Sequence, residues 1–134
     1  MVTHLVAYAA TAAVFFAIDF VWLSTVSAGF YRPRLGTLLL EQPNLLIAGL
    51  FYLFYVGGIV YFAVAPALAG GGWSKALIAG LVLGFVAYGT YDLTNLSTLR
   101  GWSWPVTFVD LAWGTALTGV AAVLGFFITQ YFQR

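Results

Sequence analysis

Residues 75–96 read KALIAGLVLGFVAYGTYDLTNL. After the opening lysine no charge intervenes until Asp92, and the length matches the roughly 20 apolar residues that cross about 30 Å of hydrocarbon. The apolar run is continuous, with no alternation of period two, and is about twice as long as a barrel strand. It reads as a membrane-spanning helix. Three further stretches share its character. Residues 3–27 contain Asp19 as their one carboxylate, residues 45–68 carry no charge and have Pro66 near their end, and residues 104–132 carry Asp110. The expected architecture is all-α: one domain over residues 1–134, an integral membrane bundle of four transmembrane helices.

The composition of the whole chain agrees. Of its 134 residues 63% are hydrophobic and 7% charged, and the mean hydropathy is +0.98. A soluble domain carries about a quarter of its residues as charges; five basic and four acidic side chains cannot cover a surface facing water. The partner implied for most of the surface is the lipid bilayer. A net charge of +1 gives no reason to expect nucleic acid, and the absence of cysteine excludes disulfides and thiolate metal sites. No basic residue precedes the first apolar run, which is too long for the core of a signal peptide, so it reads as an uncleaved span.

The connections support this division. Ala69-Gly-Gly-Gly72 separates the second span from the third, and Arg100-Gly-Trp-Ser-Trp-Pro105 the third from the fourth. Between the first and second lies a longer piece, residues 29–44, containing Arg32, Arg34 and the apolar run 38–40. It reads as a short interfacial segment along the headgroups, with both arginines as headgroup anchors. Trp73, Trp102 and Trp104 fall at span ends, where amphipathic rings prefer to sit.

Chain direction then fixes depth. With the N-terminus on side A, spans one and three run toward the opposite side B, and two and four return. Asp19 comes late in span one, Asp92 late in span three and Asp110 early in span four, so all three carboxylates fall in the half of the membrane next to side B. Arg32, Arg34 and Arg100 on side B outnumber Lys75 and Arg134 on side A, which favours side B as cytoplasmic and both termini outside.

An intramembrane carboxylate costs at least a few kcal/mol, so three call for an explanation. On span three, Gly80, Gly84, Tyr88, Asp92 and Asn95 recur at helical steps on one stripe; its first half is a Gly-xxx-Gly packing pattern and its second half is polar. On span four, Thr107, Asp110, Gly114 and Thr118 form a similar stripe. Asp19-Phe-Val-Trp22 and Asp110-Leu-Ala-Trp113 share the form Asp-x-x-Trp on spans of opposite direction, as an inverted repeat would produce. The plainer readings are helix packing for the glycines, a helix N-terminal partner for Asp110 and pairing of Asp92 with Arg100, Arg32 or Arg34. Asp19 has no cationic neighbour in sequence. His4 sits at the side A end, remote from the cluster.

The run Tyr91-Asp-Leu-Thr-Asn95, with Asp19 and Asp110-Leu-Ala-Trp-Gly114, resembles a family of small bacterial membrane proteins known only as a domain of unknown function. The resemblance covers nearly the whole chain and implies a bacterial inner-membrane location and four helices. It supplies no substrate or reaction.

The leading functional reading is binding or transport of a small molecule, cationic or amphipathic, in a pocket between spans one, three and four near side B. Asp19, Asp92, Asn95 and Asp110 would supply its polar groups, and Trp22, Tyr88, Tyr91 and Trp113 its aromatic walls. Four helices make a narrow bundle, so a transport path calls for a homodimer. The alternative is an intramembrane enzyme in which two of Asp19, Asp92 and Asp110 serve as acid and base on a lipid or isoprenoid. A third reading is a structural or assembly subunit. No cofactor is named by the pattern. Three aspartates with no histidine nearby make a poor zinc set, Mg²⁺ or Ca²⁺ stays open, and a lone histidine at the chain's edge argues against haem.

Overall fold

The structure, a computed structural model, describes residues 1–133; Arg134, counted above toward side A, lies outside them. Helix α1 spans Val2–Val26, followed by a π-helical turn Ser27–Tyr31, the short α2 Arg32–Leu35 and a 3-10 turn Gly36–Leu38. Helix α3 runs Leu45–Ile59 and continues through the π-helical segments Val60–Val64 and Ala67–Gly71. Helices α4, Gly72–Thr98, and α5, Trp104–Phe132, complete the chain. Among the described residues no strand occurs. Three helical stretches, Val2–Leu38, Leu45–Thr98 and Trp104–Phe132, are long and apolar enough to cross a membrane.

The middle stretch is not straight. At 1.5 Å per residue its 54 residues would extend about 81 Å, yet the rings of Tyr55 and Tyr88 lie 6.3 Å apart. The reversal occurs at Gly70 and Gly72, whose φ angles of 125° and 77° lie in the region that only glycine enters cheaply. Pro66 lies just before, its missing N–H unable to continue the hydrogen-bond ladder. The other helix boundaries follow local chemistry. Asn44 accepts from the Ile47 backbone N–H at 3.2 Å and starts α3; Ser103 does the same for Val106 and, with Pro105 in the first turn, starts α5.

Helix α5 is central, packing on α4 most extensively, on α1, and on Val60–Val64. Its contact with α4 uses the glycine ridge: a Cβ on Gly80 would sit 2.9 Å from Ala122 Cβ and 3.0 Å from Gly119 Cα. That ridge is consumed inside the chain, and the Tyr88 ring lies over Gly114. Phe15, Val56, Ile59, Leu117 and Ala121 fill the space where the helices meet. Outward-facing side chains are large and apolar, as at Phe54 (79% exposed) and Phe20 (72%). Water would penalise such a surface and lipid does not.

Helices α3 and α4 are close where Val60–Val64 and Ala67–Gly71 pack on α4. Contact between them dwindles along Leu45–Ile59. The two limbs diverge away from the Gly70 turn, and this divergence creates the site.

Candidate functional site: an interlocked Asp/Trp pair and a polar-ended cavity

The two Asp-x-x-Trp motifs meet where α1 packs on α5. The indoles of Trp22 and Trp113 stack with centroids 4.1 Å apart and planes 8° from parallel. Trp113 Nε1 donates to Asp19 Oδ1 at 3.2 Å. In the other direction Trp22 Nε1 donates to the Tyr31 hydroxyl at 3.2 Å, and that hydroxyl donates to Asp110 Oδ1 at 2.8 Å. Each tryptophan thus serves the opposite motif's aspartate, once directly and once through a phenol. Carboxylates withdrawn from water need such donors.

Beside this lock lies a cavity of about 680 Å³. Its walls come from the end of α1 and the turns after it (Leu23, Tyr31, Leu35), from α3 (Ile47, Phe51, Tyr52, Tyr55), from α4 (Tyr88, Tyr91, Asp92), and from Trp102 and Asp110. Among the described residues no lysine, arginine or histidine lines it. Asp92 is wholly buried, and neither of its carboxylate oxygens has a hydrogen-bond partner among the described residues. The same holds for the Tyr88 hydroxyl and Trp102 Nε1. Outside the cavity, Thr11 Oγ1 is the one other buried side-chain polar atom in that condition among the described residues. Buried polar groups are ordinarily satisfied, so the gathering of unpartnered ones among the residues lining one space sets it apart from the rest of the interior.

The sequence-derived site residues divide between the two features. Tyr88, Tyr91, Asp92 and Asp110 line the cavity. Asp19, Trp22 and Trp113 belong to the lock instead, and both tryptophans face a separate shallow hollow with Val21 and Thr25. Asn95 lines neither space. Asp110 is near enough to interact electrostatically with both Asp19 and Asp92. Among the described residues no three acidic, histidine or cysteine side chains converge as a metal-ion set. Two of the three arginines proposed as partners for Asp92 are engaged elsewhere: Arg32 donates to the carbonyls of Leu40 and Glu41, and Arg34 to that of Phe30, over whose ring it lies at 4.2 Å; the third, Arg100, does not line the cavity. Tyr31, Tyr52, Tyr55 and Trp102 were not anticipated as site residues. Span two carries no charge to draw attention to its tyrosines, whereas Tyr31 and Trp102 sit in connections that read as anchors.

No curated protein and no solved structure matches the chain. A family model described as "Predicted membrane protein (DUF2177)" matches residues 4–127. With that match over nearly all of its length, and with long apolar helices that turn large hydrophobic side chains outward, the chain belongs to this family of predicted membrane proteins.

Proposed function

We propose that the chain crosses the membrane four times and holds a small amphipathic molecule in the cavity near side B. The reversal at Gly70 supports two passes for the Leu45–Thr98 stretch, one through α3 and one through α4. The piece between α1 and α3, with its short helical turns and two arginines, then lies at the headgroups of side B. A bacterial inner membrane, with both termini outside, completes the proposed setting.

One observation carries the binding reading. Asp92, Tyr88 and Trp102 all line one space, and the carboxylate of the first, the hydroxyl of the second and the indole N–H of the third lack protein partners among the described residues. The rest of that space is aromatic or aliphatic, the composition of a small-molecule site, and 680 Å³ falls within the range of about 300–1,000 Å³ usual for such sites. A second reading draws on Asp92 and Asp110 facing the same cavity, where two carboxyls could relay a proton to a bound lipid. That reading expects a chemically altered lipid in cells that overproduce the protein, and the binding reading does not.

The test is a titration of the protein in lipid nanodiscs with twelve-carbon amphiphiles bearing anionic, neutral and cationic heads. At least one class is expected to bind saturably to the wild type and to be lost in Ala48→Trp, which fills the cavity from α3. Purely linear partitioning of every class, identical in wild type and variant, would overturn the reading.

A further inference from the structure

Asp92 sets the sign of the ligand. The residue is 0% exposed and is one of those lining the cavity; among the described residues neither of its oxygens has a protein donor, and the charged side chain acting on it is another carboxyl, Asp110. A buried carboxylate needs a cation or hydrogen-bond donors; the described residues of this cavity's walls include no cation, and their N–H donor, Trp102 Nε1, is not bonded to Asp92. Tyr31, Tyr52, Tyr55, Tyr88 and Tyr91 line the same space, and the electron-rich faces of such rings favour a positive group further. From these observations we infer that the occupant is a single-chain amphiphile with a protonated amine head, its ammonium on Asp92 and its chain leaving between α3 and α4. The inference rests on the binding reading above and narrows it to one class.

Two details refine the head. Both oxygens of Asp92 are open acceptors, so the nitrogen carries at least one N–H; a quaternary ammonium would satisfy the rings and leave those acceptors unfilled. Trp102 Nε1 can only donate, so an oxygen acceptor beside the amine completes the set, as in an N-alkyl amino alcohol. The walls also give the route. Ile47 and Phe51 on α3 are 65% and 60% exposed, and Tyr91 on α4 is 57% exposed. These residues line the cavity and reach its outer surface, so it opens sideways toward the bilayer through the gap between the diverging limbs. A ligand taking that route arrives from the membrane with its tail still in lipid.

The experiment titrates the full chain in zwitterionic nanodiscs, by calorimetry against empty discs, with N-dodecylethanolamine, dodecylamine, dodecyltrimethylammonium and dodecanol. The two N–H amines are expected to bind at least about tenfold more tightly than the trimethylammonium compound, with dodecanol giving no saturable signal. Asp92→Asn should weaken the amines by a similar factor. Trp102→Phe should reduce N-dodecylethanolamine to the level of dodecylamine. If dodecanol or the quaternary compound matches the amines in the wild type, and Ala48→Trp still abolishes binding, the amine assignment is wrong while the site stands. If none saturates, the site itself fails. The wild-type ranking decides the matter even where Asp92→Asn does not fold.

Discussion

The close crossing of α4 over α5 positions Tyr88 and Asp92 beside Asp110, and Gly84→Ala measures how much depends on it. A Cβ at Gly84 would stand 2.5 Å from the Gly114 carbonyl oxygen, 2.8 Å from Thr118 Cβ and 2.9 Å from Thr115 Cα. Two of these atoms are backbone and the third is the branch point of a buried threonine, so none can swing aside. The helices must part by a fraction of an ångström along their whole contact. Overpacking of this kind costs about 1–3 kcal/mol, and alanine's better helix propensity returns about 1, leaving a net loss of up to roughly 2 kcal/mol. Gly49 on α3 is the control: nothing lies within 4 Å of its Cβ position, so Gly49→Ala keeps the propensity gain without the clash. Reversible unfolding in mixed micelles of a mild detergent and sodium dodecyl sulfate, followed by circular dichroism, gives both numbers. Equal stability of the two variants would refute the packing argument.

The lock and the topology have their own tests. Tyr31→Phe removes the donor to Asp110 and the acceptor of Trp22 in one step, and should cost about 1–3 kcal/mol in the same unfolding assay; a neutral result would mean that the phenol bridges nothing. Because the chain has no cysteine, single cysteines at Thr3, Leu40, Lys75 and Arg100 are each its sole thiol. A membrane-impermeant maleimide is expected to label the Thr3 and Lys75 sites from one face and the Leu40 and Arg100 sites from the other. Any other grouping contradicts four passes.

Much of the fold is legible in the residue order because lipid imposes a simple rule: long apolar runs become helices, and glycines end them. The break at Ala69–Gly72 illustrates this, since the φ angles of Gly70 and Gly72 suit few other residues. The Gly80/Gly84 stripe and the small-residue face of span four were readable from spacing alone, and they face each other. The site was less readable. Asp19 looked solitary because its donor, Trp113, is 94 positions away in the chain. Asp92 looked ready to pair with a nearby arginine, yet Arg32 and Arg34 hold backbone carbonyls instead and Arg100 does not line the cavity. Helical periodicity reports which face a residue occupies, but not that α3 splays from α4. The cavity comes from that divergence, and with it the roles of Tyr52, Tyr55 and Trp102.

The repeated Asp-x-x-Trp is informative in the same way. Two matching residues in four say little by themselves. Their reciprocal use across the α1–α5 contact, with stacked indoles and exchanged hydrogen bonds, gives the echo a physical purpose: Asp19 receives its donor from Trp113 on α5, and Asp110 receives one from Tyr31 in the turn after α1, itself bonded by Trp22. Asp92 neighbours Asp110 but receives no donor in this exchange.

The most direct test is an experimental structure of the protein in lipid, read at the carboxylate of Asp92. Non-protein density within hydrogen-bonding distance of its oxygens, continuing toward the gap between α3 and α4, is the expected result. A carboxylate held by the chain's own side chains, with α3 packed flat against α4 and no space between them, would contradict it.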